Sequence, residues 1–440
     1  MTILGLAEAV VSPLIRALSP DDVEFDRDAL ADRFARAAWS GIAEPGDRDA
    51  GHLVAALGAE AALAALAATP PPNGEEVDVR VLKAAIGSAG GDGLMGDGLV
   101  GEDLENAVRR WRPRVSSASA LLALRQAARF GASLLVPDDR DWPLGVEELG
   151  EHAPLALWAR GDRALLGRLD RSIAIVGARA ATGYGEHVTV EASAGLVDRG
   201  FTIISGAAYG IDGIAHRAAL ASSGSTVAFL AGGVDRFYPA GHEALLTRIV
   251  ERGVVVSEVP CGTAPTKWRF LQRNRLIAAA SRATVVVEAG WRSGSLNTAS
   301  HAATLGRPIG AVPGPITSAA SAGCHRLLRD FTAVCVTGPD DMAELLPFEP
   351  NSTDLPAPPR TASTTPAPAP RADLTGTRVR LLDALSERSG RPVGAIARLS
   401  GLAPDRVRAE LGNLELEGLV HERAAGWVKF TAKQIDAARG

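Results

Sequence analysis

The chain has 440 residues, 46% hydrophobic and only 5% aromatic, enough for two or three domains with cores built largely from Ala, Val and Leu. Its net charge of −5 and pI near 6.0 exclude a protein that coats nucleic acid over its whole surface, though not one with a local basic groove. Three cysteines (Cys261, Cys324, Cys335), none in a CxxC pair, give no closed disulfide framework and read as ordinary core thiols of a protein in a reducing cytoplasm.

Taken in chain order, residues 1–115 read as an Ala-rich helical domain, with a SAM-like fold as one form it can take. The start, "MTILGLAEAVVSPLIRALSP", lacks a signal peptide's basic region and cleavage site, and the longest apolar run, "HLVAALGAEAALAALAA", contains Glu60 and is too short to span a bilayer. The protein is expected in the cytoplasm. A Gly-rich stretch at 87–101 reads as a flexible loop, and residues 116–164 as a connecting segment.

From Arg171 short apolar runs recur: "IAIVGA", "TIISGA", "TVAFLA", "VVVSEV", "ATVVVEA", "PIGAVPG" and "TAVCVT", with helix-length segments between them. Continuous apolar runs alternating with helices predict buried parallel strands with crossover helices. The expected fold class is therefore α/β, a Rossmann-like doubly wound, mostly parallel sheet over 165–346, where ligands bind beyond the carboxyl ends of the strands. Residues 347–373 carry eight prolines in 27 and read as an extended linker. Residues 374–435 read as three helices and a hairpin, a C-terminal winged helix.

Five strands of the α/β domain end in loops of small residues: "VGARAATGYG", "SGAAYGIDGIAH", "GGVDRFYP", "EAGWRSGSLNTASHA" and "VPGPITSAASAG". Small residues let backbone N–H groups approach an anion, and a following helix N-terminus adds partial positive charge, so that sheet edge is a candidate phosphate site. Between the fourth and fifth runs lies "TKWRFLQRNRLIAAASR", with Lys267, Arg269, Arg273, Arg275 and Arg282 and no carboxylate. Arg273 and Arg275 lie about 200° apart on a helix, so one can face a groove while the other braces it. Trp268 and Phe270 among these cations give the combination a single strand needs: rings for bases, charge for backbone.

These motifs, with "LAGGVDRFYP", "SEVPCGTAPTKWRFLQRNRLIAAAS" and "SAGCHRLL", resemble in order those of the bacterial DNA-processing protein A family (DprA, also called Smf) over roughly 135–346. The resemblance implies a non-enzymatic, typically dimeric mediator that binds single-stranded DNA and loads RecA onto it in natural transformation, without cofactor, metal or membrane. It implies DNA contacts at Gly177 and Arg179 of VGxR, at Ser205 and Gly206, at Lys267, at Phe270 of FxxRNR with Arg273, Asn274 and Arg275, and at Gly294 and Ser295. Asn274 can equally be structural, Asp212 reads as a loop brace, and His242, where the family commonly has Asn, as a satisfied helix-start residue. Leu327 and Leu328 are candidates for the dimer contact, with core packing the equal alternative.

Phosphoribohydrolases of the same fold class are the competing reading, with a simple nucleotide-binding protein beside them. Their PGGxGTxxE signature corresponds to "SGSLNTASH", where the glutamate position holds His301. The winged helix's third helical segment, Pro404 to Gly418, is net −2 and so a poor reader of duplex phosphates. An auxiliary or protein-interaction role suits it better.

Overall fold

The structure is a computed structural model that describes residues 2–3, 5–19, 26–72, 77–89, 102–346, 374–423 and 425–430. Most of the Gly-rich stretch and the Pro-rich segment 347–373 lie outside these. An antiparallel pair, β1 (Thr2–Ile3) and β2 (Leu6–Ala7), precedes seven helices: α1 (Glu8–Leu18), α2 (Arg27–Ile42), α3 (Arg48–Leu57), α4 (Ala59–Ala68), α5 (Arg80–Ser88), α6 (Glu102–Trp111) and α7 (Ser117–Arg129). Their core is held by Trp39 edge-on to Trp111, and it is continuous with one side of the sheet through Trp158, Ala228 and Val255. A buried Arg33–Asp139 ion pair and a bond donated by Trp158 Nε1 to Ser40 Oγ (3.1 Å) tie the helices to the strands.

The sheet has nine strands: β3 (Ser133–Leu135), β4 (Leu157–Gly161), β5 (Ser172–Val176), β6 (Thr202–Ser205), β7 (Thr226–Leu230), β8 (Val254–Ser257), β9 (Ala283–Val286), β10 (Ile309–Ala311) and β11 (Val334–Cys335). All seven apolar runs are strands, and they pair in parallel in the order β11-β10-β9-β5-β6-β7-β8. β4 and β3 extend the sheet antiparallel beyond β8, so residues 116–164 supply two strands of the domain rather than a mere connection. Their short, half-apolar runs carry no parallel-strand signal, which is why the sequence hides them. Cys335 departs from the core-thiol expectation: it is exposed, because β11 is an edge strand two residues long, whereas Cys261 and Cys324 are buried.

Crossover helices α8 (Gly183–Asp198), α9 (Ile211–Ala221), α10 (Glu243–Arg252), α11 (Lys267–Ala280), α12 (Ser295–Thr304), α13 (Ala322–Asp330) and α14 (Pro339–Ala343) cover both faces. The β5/β9 pair is the topological switch point: from β5 the chain winds one way to β8, and from β9 the other way to β11. The C-terminal unit is a winged-helix arrangement of α15 (Leu374–Ala384), α16 (Val393–Ser400), α17 (Pro404–Leu416), β12 (Val420–Arg423) and β13 (Gly426–Lys429), around Leu381, Ile396, Val407, Leu411 and Leu414. Among the described residues, no single helix is long and apolar enough to cross a membrane.

Candidate nucleic-acid interface

At the switch point the loops after β5 and β9 diverge and leave a crevice of about 420 Å³. It is lined by Gly177 to Arg179 on one side, Arg292 to Ser295 on the other, and Phe270, Arg273 and Asn274 of α11.

Buried carboxylates brace the loops. Glu288, just past β9, accepts from the backbone N–H of Thr182 (2.9 Å) and from its hydroxyl, and Thr182 caps α8. Asp212 accepts from the N–H groups of Gly206 (3.1 Å) and Ala208 (3.4 Å), the brace its sequence position suggested. Burial raises the Asp212 carboxyl against the opposing pull of Arg273. His242 is buried at the start of α10, its Nδ1 3.0 Å from the Ala207 carbonyl oxygen.

The basic helix divides its charge by direction. Thr266 caps α11 through a bond from Arg269 N (3.2 Å). Arg269 turns to the helical domain, where Glu44 accepts from its Nε (3.1 Å) and Nη2 (2.9 Å) and also from Arg114 Nη2 (2.6 Å). Burial alone would raise the Glu44 carboxyl; Arg269 and Arg114 outweigh it and hold the pKa at about 2. Arg275 pairs with Glu258 (2.7 Å), also away from the crevice. Arg273 lines the crevice floor, buried, and donates from Nη1 to the carbonyls of Gly206 and Phe229 (2.6 Å each). A Cβ on Gly206 would lie 2.0 Å from that guanidinium, which would have to move and give up these bonds. The absence of acids within this stretch is thus misleading, because Glu44 and Glu258 arrive from elsewhere in the chain.

Other candidate residues have protein partners as well. Ser205 Oγ donates to the Ile175 carbonyl (2.7 Å), and Asn274 Nδ2 donates to Gly294 O (3.3 Å) and Asn297 Oδ1 (3.2 Å), which is the structural alternative for Asn274. Ser295 Oγ lies 2.7 Å from Ser293 Oγ. The guanidinium of Arg179, by contrast, makes no ion pair among the described residues: it lies over the Phe270 ring, 5.2 Å from its centre. Arg292 and the Lys267 ammonium are likewise uncommitted and exposed. Neither Arg292 nor Tyr238, whose ring centre is 5.5 Å from that of Phe270, stands out in the sequence; the small-residue loops that carry them were the only signal.

The winged helix docks on the start of α11. Asp383 Oδ2 accepts from the backbone N–H groups of Lys267 (2.6 Å) and Trp268 (3.3 Å), and the Arg380 guanidinium lies 5.2 Å from the Trp268 ring centre. His301 faces a separate cavity of about 1120 Å³ between the three units, and burial lowers its pKa to about 4. Leu327 is buried in the sheet core and Leu328 packs partly against it. Among the described residues, no group of three or more His, Cys, Asp and Glu side chains could hold a metal ion.

A doubly wound sheet with a loop-lined crevice at its switch point, joined to a winged helix, defines the class: a Rossmann-like α/β domain with a C-terminal winged helix. The chain belongs to the DNA-processing protein A family. The family model for DNA recombination-mediator protein A matches residues 133–347, and that for the DprA winged helix domain matches 365–426. A Mycobacterium tuberculosis relative carrying the DprA name is 46% identical over 343 residues, 75% of this chain and 84% of that one. Escherichia coli Smf is 34% identical over 326 residues, 72% of this chain and 82% of that one. The X-ray structure of Streptococcus pneumoniae DprA superposes with a TM-score of 0.55 at 26% identity, covering 72% of this chain and 99% of that one.

Proposed function

We propose that this protein is a non-enzymatic recombination mediator. It holds single-stranded DNA across the switch-point crevice and loads a RecA recombinase onto the strand during natural transformation, in the cytoplasm and as a homodimer. The observation that carries this reading is the uncommitted Arg179 guanidinium supported on Phe270 at the mouth of the crevice, with Arg292 on the same crevice and Lys267 exposed at the start of α11. Exposed cations with aromatic faces bind a strand with little sequence preference, since every nucleotide carries a phosphate and every base a π-face. Gly177, Gly294 and Ser295 supply close backbone approach. Arg273 and Arg275 act from beneath, by fixing the loops and the helix that present the exposed groups. The winged helix, docked through Asp383, serves as an auxiliary or protein-interaction unit.

A phosphoribohydrolase reading finds less support. His301 stands where those enzymes place their glutamate and faces the three-way cavity instead of the crevice, while Asp212 and Glu288 are engaged as braces. The test is fluorescence anisotropy with labelled single-stranded and duplex DNA of equal length, on the wild type and on Arg179→Ala with Lys267→Ala. Single-strand preference lost in the double variant is the expected result. No single-strand binding by the wild type at moderate salt would overturn the reading.

A further inference from the structure

The winged helix meets the rest of the chain through polar groups, while its apolar core around Leu381, Ile396, Val407, Leu411 and Leu414 is its own. Across the boundary Asp383 Oδ2 accepts from Lys267 N (2.6 Å) and Trp268 N (3.3 Å), and the Arg380 guanidinium lies over the Trp268 ring. Gly401 sits against Glu44, where an added Cβ would come within 2.6 Å of the glutamate side chain. The covalent link is residues 347–373, which read in sequence as a linker, so release of the unit breaks these contacts and leaves both cores intact.

The place that Asp383 takes is one that suits a phosphate. α11 has 14 residues, and the N–H groups of its first turn carry partial positive charge to which Lys267, exposed on the same turn, adds a full charge. A carboxylate from another unit already sits on two of those N–H groups. Lys267 is among the residues assigned to the strand above, and Trp268, the second ring of the basic stretch, is half-buried beneath Arg380. Among the described residues, none of the winged helix lines the switch-point crevice, which stays open.

We propose that the docked winged helix is an autoinhibitory latch. Asp383 stands in for a strand phosphate at the start of α11, so docking and full engagement of single-stranded DNA exclude one another there. The inference rests on the single-strand reading above. A strand enters the open crevice at Arg179 and displaces Asp383 to reach Lys267 and the α11 amides. Coupling between two sites is reciprocal: whatever loosens the latch tightens binding, and a bound strand loosens the latch.

The test uses the full-length chain in two measurements. The first is anisotropy with a labelled single-stranded oligonucleotide on the wild type, Asp383→Ala, Arg380→Gln and the double variant. Each single variant should bind roughly fivefold tighter, and the double variant no tighter than the better single, because one docking event is lost in all three. The two substitutions change charge in opposite directions, so a simple field effect would strengthen binding in Asp383→Ala and weaken it in Arg380→Gln. The second places spin labels at Leu122→Cys in the helical domain and Leu399→Cys in the winged helix, both exposed positions, in a Cys335→Ser background. Labelled chain diluted with unlabelled chain should give one narrow distance, which lengthens and broadens as the oligonucleotide saturates. Arg380 also donates to the carbonyls of Ser400 (2.8 Å) and Gly401 (2.7 Å), so the distance measurement, which keeps Arg380, decides if that variant folds poorly. Unchanged or weaker binding by a folded Arg380→Gln, or a distance that DNA does not move, would overturn the latch and leave the strand site standing. A wild type that binds no single strand would overturn both.

Discussion

The guanidinium of Arg179 lies 5.2 Å from the centre of the Phe270 ring, and no carboxylate pairs with it among the described residues. A cation parked on an aromatic face stays charged, positioned and open to a phosphate. Arg179→Ala should weaken binding to every single-stranded sequence alike and lower the salt slope by about 0.7, one phosphate contact. Arg179→Lys should keep the slope while losing some affinity. A salt titration by anisotropy separates the two; an unchanged slope in Arg179→Ala would remove the residue from the site.

Arg273 should behave differently, although it belongs to the same motif. Its Nη1 holds the carbonyls of Gly206 and Phe229 together, and it is the cation set against buried Asp212. Arg273→Met should cost about 3 kcal/mol of stability, because it strands a buried carboxylate and two carbonyls. Thermal or denaturant unfolding would register this. Loss of DNA binding with a full wild-type unfolding transition would instead mark Arg273 as a direct contact.

The Asp383 carboxylate supplies an acceptor for the first two N–H groups of α11, across the interface with the winged helix. Helix-start amides without such a partner exchange with solvent. Asp383→Ala should therefore speed hydrogen–deuterium exchange at Lys267 and Trp268, with α11's buried second half unaffected. Unchanged protection of that peptide would mean that the winged helix is not docked there in solution.

Acid should loosen the domain through a histidine. His216 Nδ1 lies 2.7 Å from Thr226 Oγ1, whose own proton goes to the Ile203 carbonyl, so the histidine donates from Nδ1. Burial, aided by His242 and Arg273, lowers its pKa from 6.5 to about 3. Between those values the unfolded chain binds a proton that the folded chain refuses. The stability this supplies is complete above pH 6.5 and falls toward pH 3, by about 1.4 kcal/mol per unit. His216→Gln should flatten the decline of Tm between pH 6.5 and 4.5 measured by calorimetry. An identical decline in the variant would exclude His216 as its source.

The strand pattern was legible because a strand buried on both faces must be largely apolar, as "IAIV" and "VVV" are. The loops were legible too, since close backbone packing, as at Gly210 against the Ala178 and Arg179 carbonyls, admits only small residues. The antiparallel strands β3 and β4 were not, because runs of three and five residues resemble any short apolar patch.

Sequence by itself determined the doubly wound sheet, the winged helix and the small-residue loops at the edge where the crevice opens, because burial periodicity and loop sterics are local properties of the chain. Tertiary structure alone decided what the basic stretch does. Its cations look alike in sequence, but Glu44 is 225 residues from Arg269, and that distant carboxylate turns the arginine into a brace. Ion pairing depends on where the fold delivers the opposite charge. To Arg179 the fold delivers a ring and, among the described residues, no carboxylate, so its charge stays unpaired at the crevice.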